Sequence, residues 1–106
     1  MRVLVVDDES AVREVLSLRI ANWGFEPRTA ASAAEAERVI EEWRPDVVLS
    51  DVVLPDSSGI ELLKRLRHHD QTIPVILITA HGTIDSAVEA MKQGARDFLT
   101  KPLDYP

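Results

Sequence analysis

An open α/β fold built on one parallel sheet of five strands, in the order 2-1-3-4-5, is the architecture this sequence predicts. Strand-like and helix-like segments alternate along the whole chain, which implies parallel strands joined by helical crossovers. Val3-Leu4-Val5-Val6, Val47-Val48-Leu49-Ser50 and Val75-Ile76-Leu77-Ile78 are almost unbroken apolar runs. Such runs mark strands buried on both faces, so strands 1, 3 and 4 belong at the centre. Two more polar segments, 26–30 and Asp97-Phe98-Leu99-Thr100, suit the edges. Pro27 in particular is tolerated at an edge, because it cannot donate to the ladder.

The helices follow in order. After Asp8, residues 9–22 place Val12, Leu16, Ile20 and Trp23 on one inward stripe with Val15 at its flank, and Gly24 ends the helix. Ser32-Ala33-Ala34-Glu35 is a capping box, opening a helix whose inward residues are Ala36, Val39, Ile40 and Trp43 and which Pro45 stops. Its remaining face, rich in Glu and Arg, reads as solvated surface. Ser58-Gly59-Ile60-Glu61 is a second capping box, for a helix with Ile60, Leu63 and Leu66 inward. His68 and His69 fall near its C-terminus, where the helix dipole favours them. Ile84, Ala87, Val88 and Met91 then keep helical spacing up to Gly94.

Composition sets the outer bounds. The 106 residues make one domain, and 45% apolar with 28% charged residues is ordinary for a globular chain. A net charge of −6 argues against nucleic-acid backbone binding. No apolar run approaches a membrane span, and Met1-Arg2-Val3 leads straight into a strand, leaving no signal peptide. The absence of cysteine removes disulfides and thiolate metal sites and fits a cytoplasmic protein.

The ends of the strands carry the chemistry. Asp7-Asp8, Asp51, Thr79 and Lys101-Pro102 each follow a strand, so a parallel sheet brings them to its carboxyl edge. In the flavodoxin-like order the crevice opens between strands 1 and 3, where Asp7, Asp8 and Asp51 stand. Carboxylates this close repel unless a cation sits among them, and Mg²⁺ fits because it takes one or two carboxylates while keeping places for water and phosphate. Asp51 could serve as nucleophile for phosphoryl transfer, Thr79 as hydrogen-bond donor to a phosphoryl oxygen and Lys101 as countercharge.

Across its whole length the chain resembles the receiver (CheY-like) domain of two-component response regulators. The motifs are VVDDE at 5–9, SDVVLPDSSG at 50–59, ITAHG at 78–82 and DFLTKP at 97–102. The resemblance implies that Asp51 accepts a phosphoryl group from the phosphohistidine of a sensor histidine kinase. It makes Asp8 a direct Mg²⁺ ligand, Asp7 a ligand acting mainly through water, and the backbone carbonyl of Val53 a further ligand. Thr79 becomes the switch hydroxyl, Lys101 the bridging lysine, and Phe98 a switch aromatic that moves with the loop at 79–83. Ala80, His81 and Pro102 complete the site, with a Lys–Pro bond that is commonly cis in the family. Such a domain catalyses its own phosphorylation and dephosphorylation but is primarily a signalling switch. The stretch from Thr79 to Asp104 further resembles receivers of the nitrogen-regulator (NtrC-like) class. Those are joined to an ATPase that activates sigma-54 polymerase and to a DNA-binding helix-turn-helix, an output not present here.

Two departures stand out. The family has a fifth helix after the Lys–Pro pair, whereas this chain reaches only Pro106, so apolar side chains of strands 3, 4 and 5 are expected to lie open. If 1–106 were the whole molecule, it would dimerise or exchange elements to cover that face. Val53 is apolar where many relatives carry a polar group that handles the attacking water. With His81, it points to a long-lived phosphoryl group.

Competing readings fit less well. A dinucleotide-binding domain needs a Gly-rich turn where this chain has Asp7-Asp8-Glu9-Ser10. A haloacid-dehalogenase-type phosphatase needs a second acid where Val53 stands. A receiver-like interaction module that signals without phosphorylation stays open as the alternative.

Overall fold

The computed structural model describes residues 1–69, 72–80 and 84–101. The described elements are β1 (Arg2–Val6), α1 (Ser10–Asn22), β2 (Glu26–Ala30), α2 (Ala33–Trp43), β3 (Val47–Asp51), α3 (Gly59–His68), β4 (Val75–Thr79), α4 (Ile84–Lys92) and β5 (Asp97–Thr100). All strand pairs are parallel and the order is β2-β1-β3-β4-β5, as expected. Among the described residues there are four helices, and none is long and apolar enough to cross a membrane.

Strand periodicity divides the interior into two cores. Leu4 and Val6 of β1, Val48 of β3 and Val75 and Leu77 of β4 face α2, α3 and α4, where they meet Ala36, Ile40, Leu62, Leu63, Leu66 and Ala90. Val3 and Val5 face the other way, against Leu16 and Ile20 of α1. Among the described residues this second side is only partly covered. Ala11, Val12 and Val15 of α1 and Leu49 and Ile78 of the sheet line a groove of about 460 Å³, and Leu99 of β5 is exposed. Of the strand residues on this side, Leu49 is half-buried, Ile78 is buried and Leu99 is exposed, so the openness expected of strands 3 to 5 is seen at β5 and not at β4.

At α2 and α3 the serine half of each expected capping box forms. Ser32 Oγ accepts from the Glu35 amide at 3.2 Å, and Ser58 Oγ from the Glu61 amide at 3.0 Å. Glu35 reaches back to the Ala31 amide, one residue before the cap. Helix α2 ends at Arg44, whose φ of 54° is left-handed, the backbone shape a helix stop commonly requires.

Three inward faces differ from expectation. Trp23 is 48% exposed rather than core, because α1 ends at Asn22 and the chain turns at Gly24 (φ 90°) toward β2. The indole belongs to that turn and not to the helical stripe. In α3 the deepest residues are Gly59, Leu62, Leu63 and Leu66, with Ile60 half-buried. The helix is rotated so that Gly59 meets the sheet. In α4 it is Ala90 that is fully buried, while Val88 and Met91 are exposed. The small side chain permits a close approach to the sheet where the Ala95 amide bonds back to the Ala90 carbonyl at 3.0 Å.

Trp43, by contrast, is core, as expected. It lies at the amino edge of the sheet, where the Arg2 guanidinium donates to its carbonyl. Arg2 and Arg28 both place guanidinium groups near its ring, 5.4 and 4.9 Å from the centroid.

Candidate functional site

Four strands end at one edge, and each end contributes a polar group. Asp7 follows β1 and is 3% exposed. Its amide donates to the Ala30 carbonyl at 3.0 Å, its Oδ1 accepts from the Glu9 amide at 2.9 Å, and its carbonyl accepts from Arg13 Nη1 at 2.7 Å. The turn between β1 and α1 is therefore tied down on three sides, with Asp8 exposed at its corner. Asp51 closes β3 and is 8% exposed. Its Oδ1 accepts from the Val53 amide at 3.1 Å, and its carbonyl accepts from Ser50 Oγ at 2.9 Å.

Gly59 explains how α3 can start so close to Asp51. A Cβ at Gly59 would press on the Asp51 carbonyl oxygen and stand 2.9 Å from Leu77 Cδ2 and 3.1 Å from Ser50 Oγ. Only the missing side chain lets the helix meet the strand end.

The acids converge. One carboxylate oxygen from each of Asp7, Asp8 and Asp51 lies within 4.8 Å of the others. Lys101 Nζ bridges the two buried ones, 2.8 Å from Asp7 Oδ2 and 3.0 Å from Asp51 Oδ2, with Glu9 Oε1 farther away at 3.8 Å. Burial alone would lower the lysine pKa, but the two hydrogen bonds and the two negative charges prevail and hold it above its ordinary value. The lysine thus stays charged and offsets part of the repulsion. A hard oxygen donor set with a built-in countercharge, open through Asp8, fits a small divalent cation such as Mg²⁺.

Thr79 ends β4, 2% exposed, and its carbonyl accepts from the Lys101 amide at 2.8 Å. Ala80 is exposed beside the groove that Asp7, Asp51 and Lys101 border. Val53 has an exposed side chain, and its amide already contacts Asp51. Phe98 is half-buried and packs against the α2–α4 core. His81 and Pro102 lie outside the described residues.

Sequence reasoning missed Arg13 and Asp56. A cation one turn into the helix after two acids is a usable signal for Arg13. Asp56 receives the Ala33 and Ala34 amides from the start of α2 at 2.9 and 3.0 Å, a contact across 22 and 23 residues that no local pattern reveals.

Comparison with known proteins agrees with this geometry. The model of the response regulator receiver domain family matches residues 3–106. The regulatory protein AtoC of Escherichia coli K12 is 44% identical over 103 residues, which are 97% of this chain and 22% of AtoC. The DNA-binding transcriptional regulator NtrC of the same organism is 42% identical over 102 residues, 96% of this chain and 22% of NtrC. The chain therefore spans about a fifth of the length of these relatives. Among solved structures, the beryllofluoride-activated NtrC4 receiver domain dimer matches with a TM-score of 0.91 and 41% identity, covering 97% of this chain and 85% of that one. The chemotaxis protein CheY4 of Vibrio cholerae matches with a TM-score of 0.91 and 32% identity, covering 97% and 88%. Strand order, edge chemistry and near-complete sequence matches lead to one place: the chain belongs to the response regulator receiver domain family.

Proposed function

We propose that this domain is a phosphorylation switch in which Asp51 accepts a phosphoryl group from the phosphohistidine of a sensor histidine kinase. In the transfer an Asp51 carboxylate oxygen bonds to phosphorus while the phosphorus–nitrogen bond breaks, and the imidazole leaves with a proton from solvent. The product is an acyl phosphate on the domain. Asp7, Asp8, Asp51 and the Val53 carbonyl would hold Mg²⁺, which when bound supplies positive charge against the phosphoryl oxygens.

The chain's own groups do the rest. Lys101 meets the negative charge arriving on Asp51 and keeps it oriented. Thr79 donates its hydroxyl to a phosphoryl oxygen, and the strand ends exclude bulk water from the inner side of the carboxylate. The shift of Thr79 and Lys101 toward the added oxygens is transmitted through α4 and Phe98 to an output, transcriptional as the names of the relatives suggest. The family placement supports a sensor histidine kinase as partner, with an output domain and a second copy of the domain as further proposed partners.

The observation that carries this reading is the bridge from Lys101 Nζ to both buried carboxylates at 2.8 and 3.0 Å. It makes Asp51 a shielded nucleophile beside a permanent cation. The test is incubation with Mg²⁺ and acetyl phosphate, followed by intact-mass measurement. The protein should gain one phosphoryl group, lost on mild alkaline treatment, and Asp51→Asn should gain none. An unmodified wild-type protein would overturn the proposal.

A further inference from the structure

The amino end of α2 does not rely on its own cap alone. Ser32 Oγ and the Ser32 carbonyl satisfy the Glu35 and Ala36 amides, while the Ala33 and Ala34 amides turn to Asp56 in the β3–α3 loop, at 2.9 and 3.0 Å. A carboxylate at a helix start is favoured both as hydrogen-bond acceptor and by the dipole. Here the acceptor comes from a different loop, so capping the helix also moors that loop. The loop is otherwise a small closed ring. Val53 and Ser58 form an isolated bridge, and the Gly59 amide bonds to the Val52 carbonyl at 2.8 Å. Leu54 and Val52 anchor the ring in the core and to β4, and Asp56 adds the hydrogen bonds that fasten it to the start of α2.

The same short stretch also holds the opposite acid. Three residues before Ala33, the Ala30 carbonyl accepts the Asp7 amide at 3.0 Å. Residues 30–34 thus grip the Asp7 turn at one end and the loop after Asp51 at the other. We propose that Asp56 is a positioning residue for the acidic site, setting through the start of α2 how far the Asp51–Val53 corner stands from the Asp7 corner. The inference rests on the reading of these acids as a divalent-cation site. Asp56 itself touches no ion.

The test compares Asp56→Ala with Ser32→Ala, which weakens the same helix end without releasing the loop. Calorimetric titration with Mg²⁺ should show a severalfold loss of affinity for Asp56→Ala, below the loss of about tenfold or more on removing a direct partner of a metal ligand, and unchanged affinity for Ser32→Ala. Thermal melting of both variants gauges the stability each has lost. In the wild-type protein the Ala33 and Ala34 amide resonances should shift when Mg²⁺ and beryllofluoride are added. In Asp56→Ala that response should vanish. If Asp56→Ala does not fold, Asp56→Asn keeps one acceptor oxygen and should give an intermediate loss of affinity. Equal affinity in the wild type and Asp56→Ala, or equal losses in both alanine variants, overturns the inference while leaving the cation site standing. A wild-type protein that binds no Mg²⁺ sinks both.

Discussion

Lys101 sets the electrostatic state of the site before any ligand arrives. Its ammonium bonds to the carboxylates of Asp7 and Asp51, two of the three acids that a divalent cation would also seek. Lys101→Met should therefore cost about 1.5–3 kcal/mol of stability in metal-free buffer, the scale of hydrogen bonds to charged groups. It should also bind Mg²⁺ more tightly than the wild type, and melting curves with and without the ion would show both. The pH dependence has a definite sign. The lysine pKa is raised above its ordinary 10.5, so the stability it confers is complete below that value and is lost only as pH rises beyond it. Alkaline denaturation should be steeper for the wild type than for Lys101→Met. Gly59 is a second single-residue determinant. Gly59→Ala would force a Cβ onto the Asp51 carbonyl and to 2.9 Å from Leu77, so overpacking should cost about 1–3 kcal/mol in denaturant titrations.

At the level of elements, the strands were the most legible part of the sequence. Burial on both faces keeps Val3 to Val6 of β1 and Val75 to Ile78 of β4 apolar, so these runs announce themselves. The residue ending each run is placed by parallel pairing alone, which is why the acids, Thr79 and Lys101 could be assigned to one edge. Capping boxes gave the starts of α2 and α3 because Ser32 and Ser58 act within three residues of their partners. Helix faces were harder to read. In α4 two stripes compete, and the choice of Ala90 over Val88 and Met91 depends on how near the helix sits to the sheet, a tertiary quantity. Asp56 was illegible for the same reason, its partners being supplied by another crossover. The stop of α2 carries a prediction of its own. Arg44 adopts a left-handed φ of 54° at a cost that glycine avoids, so Arg44→Gly should stabilise the domain by about 0.5–1 kcal/mol, read as a higher melting temperature.

For the molecule as a whole, the sheet divides two unequal interiors. The side facing α2, α3 and α4 holds most of the buried apolar residues, whereas the α1 side opens into a groove beside the acids. Truncations should differ accordingly. Leu77→Ala should fall near the upper end of the usual range of about 2–5 kcal/mol, and Leu16→Ala, which borders the groove, near the lower end. Chemical denaturation of the two variants would rank them. The stacking of Arg2 and Arg28 on Trp43 has an optical consequence. Trp43 sits beside the first residue of β1, and Trp23 lies in the turn just before β2, so both indoles are at the end of the sheet remote from Asp7. The five residues of β1 span roughly 16 Å. Intrinsic emission should therefore follow denaturation faithfully and stay dark to events among the carboxylates, making this fluorescence a gauge of folding and not of occupancy.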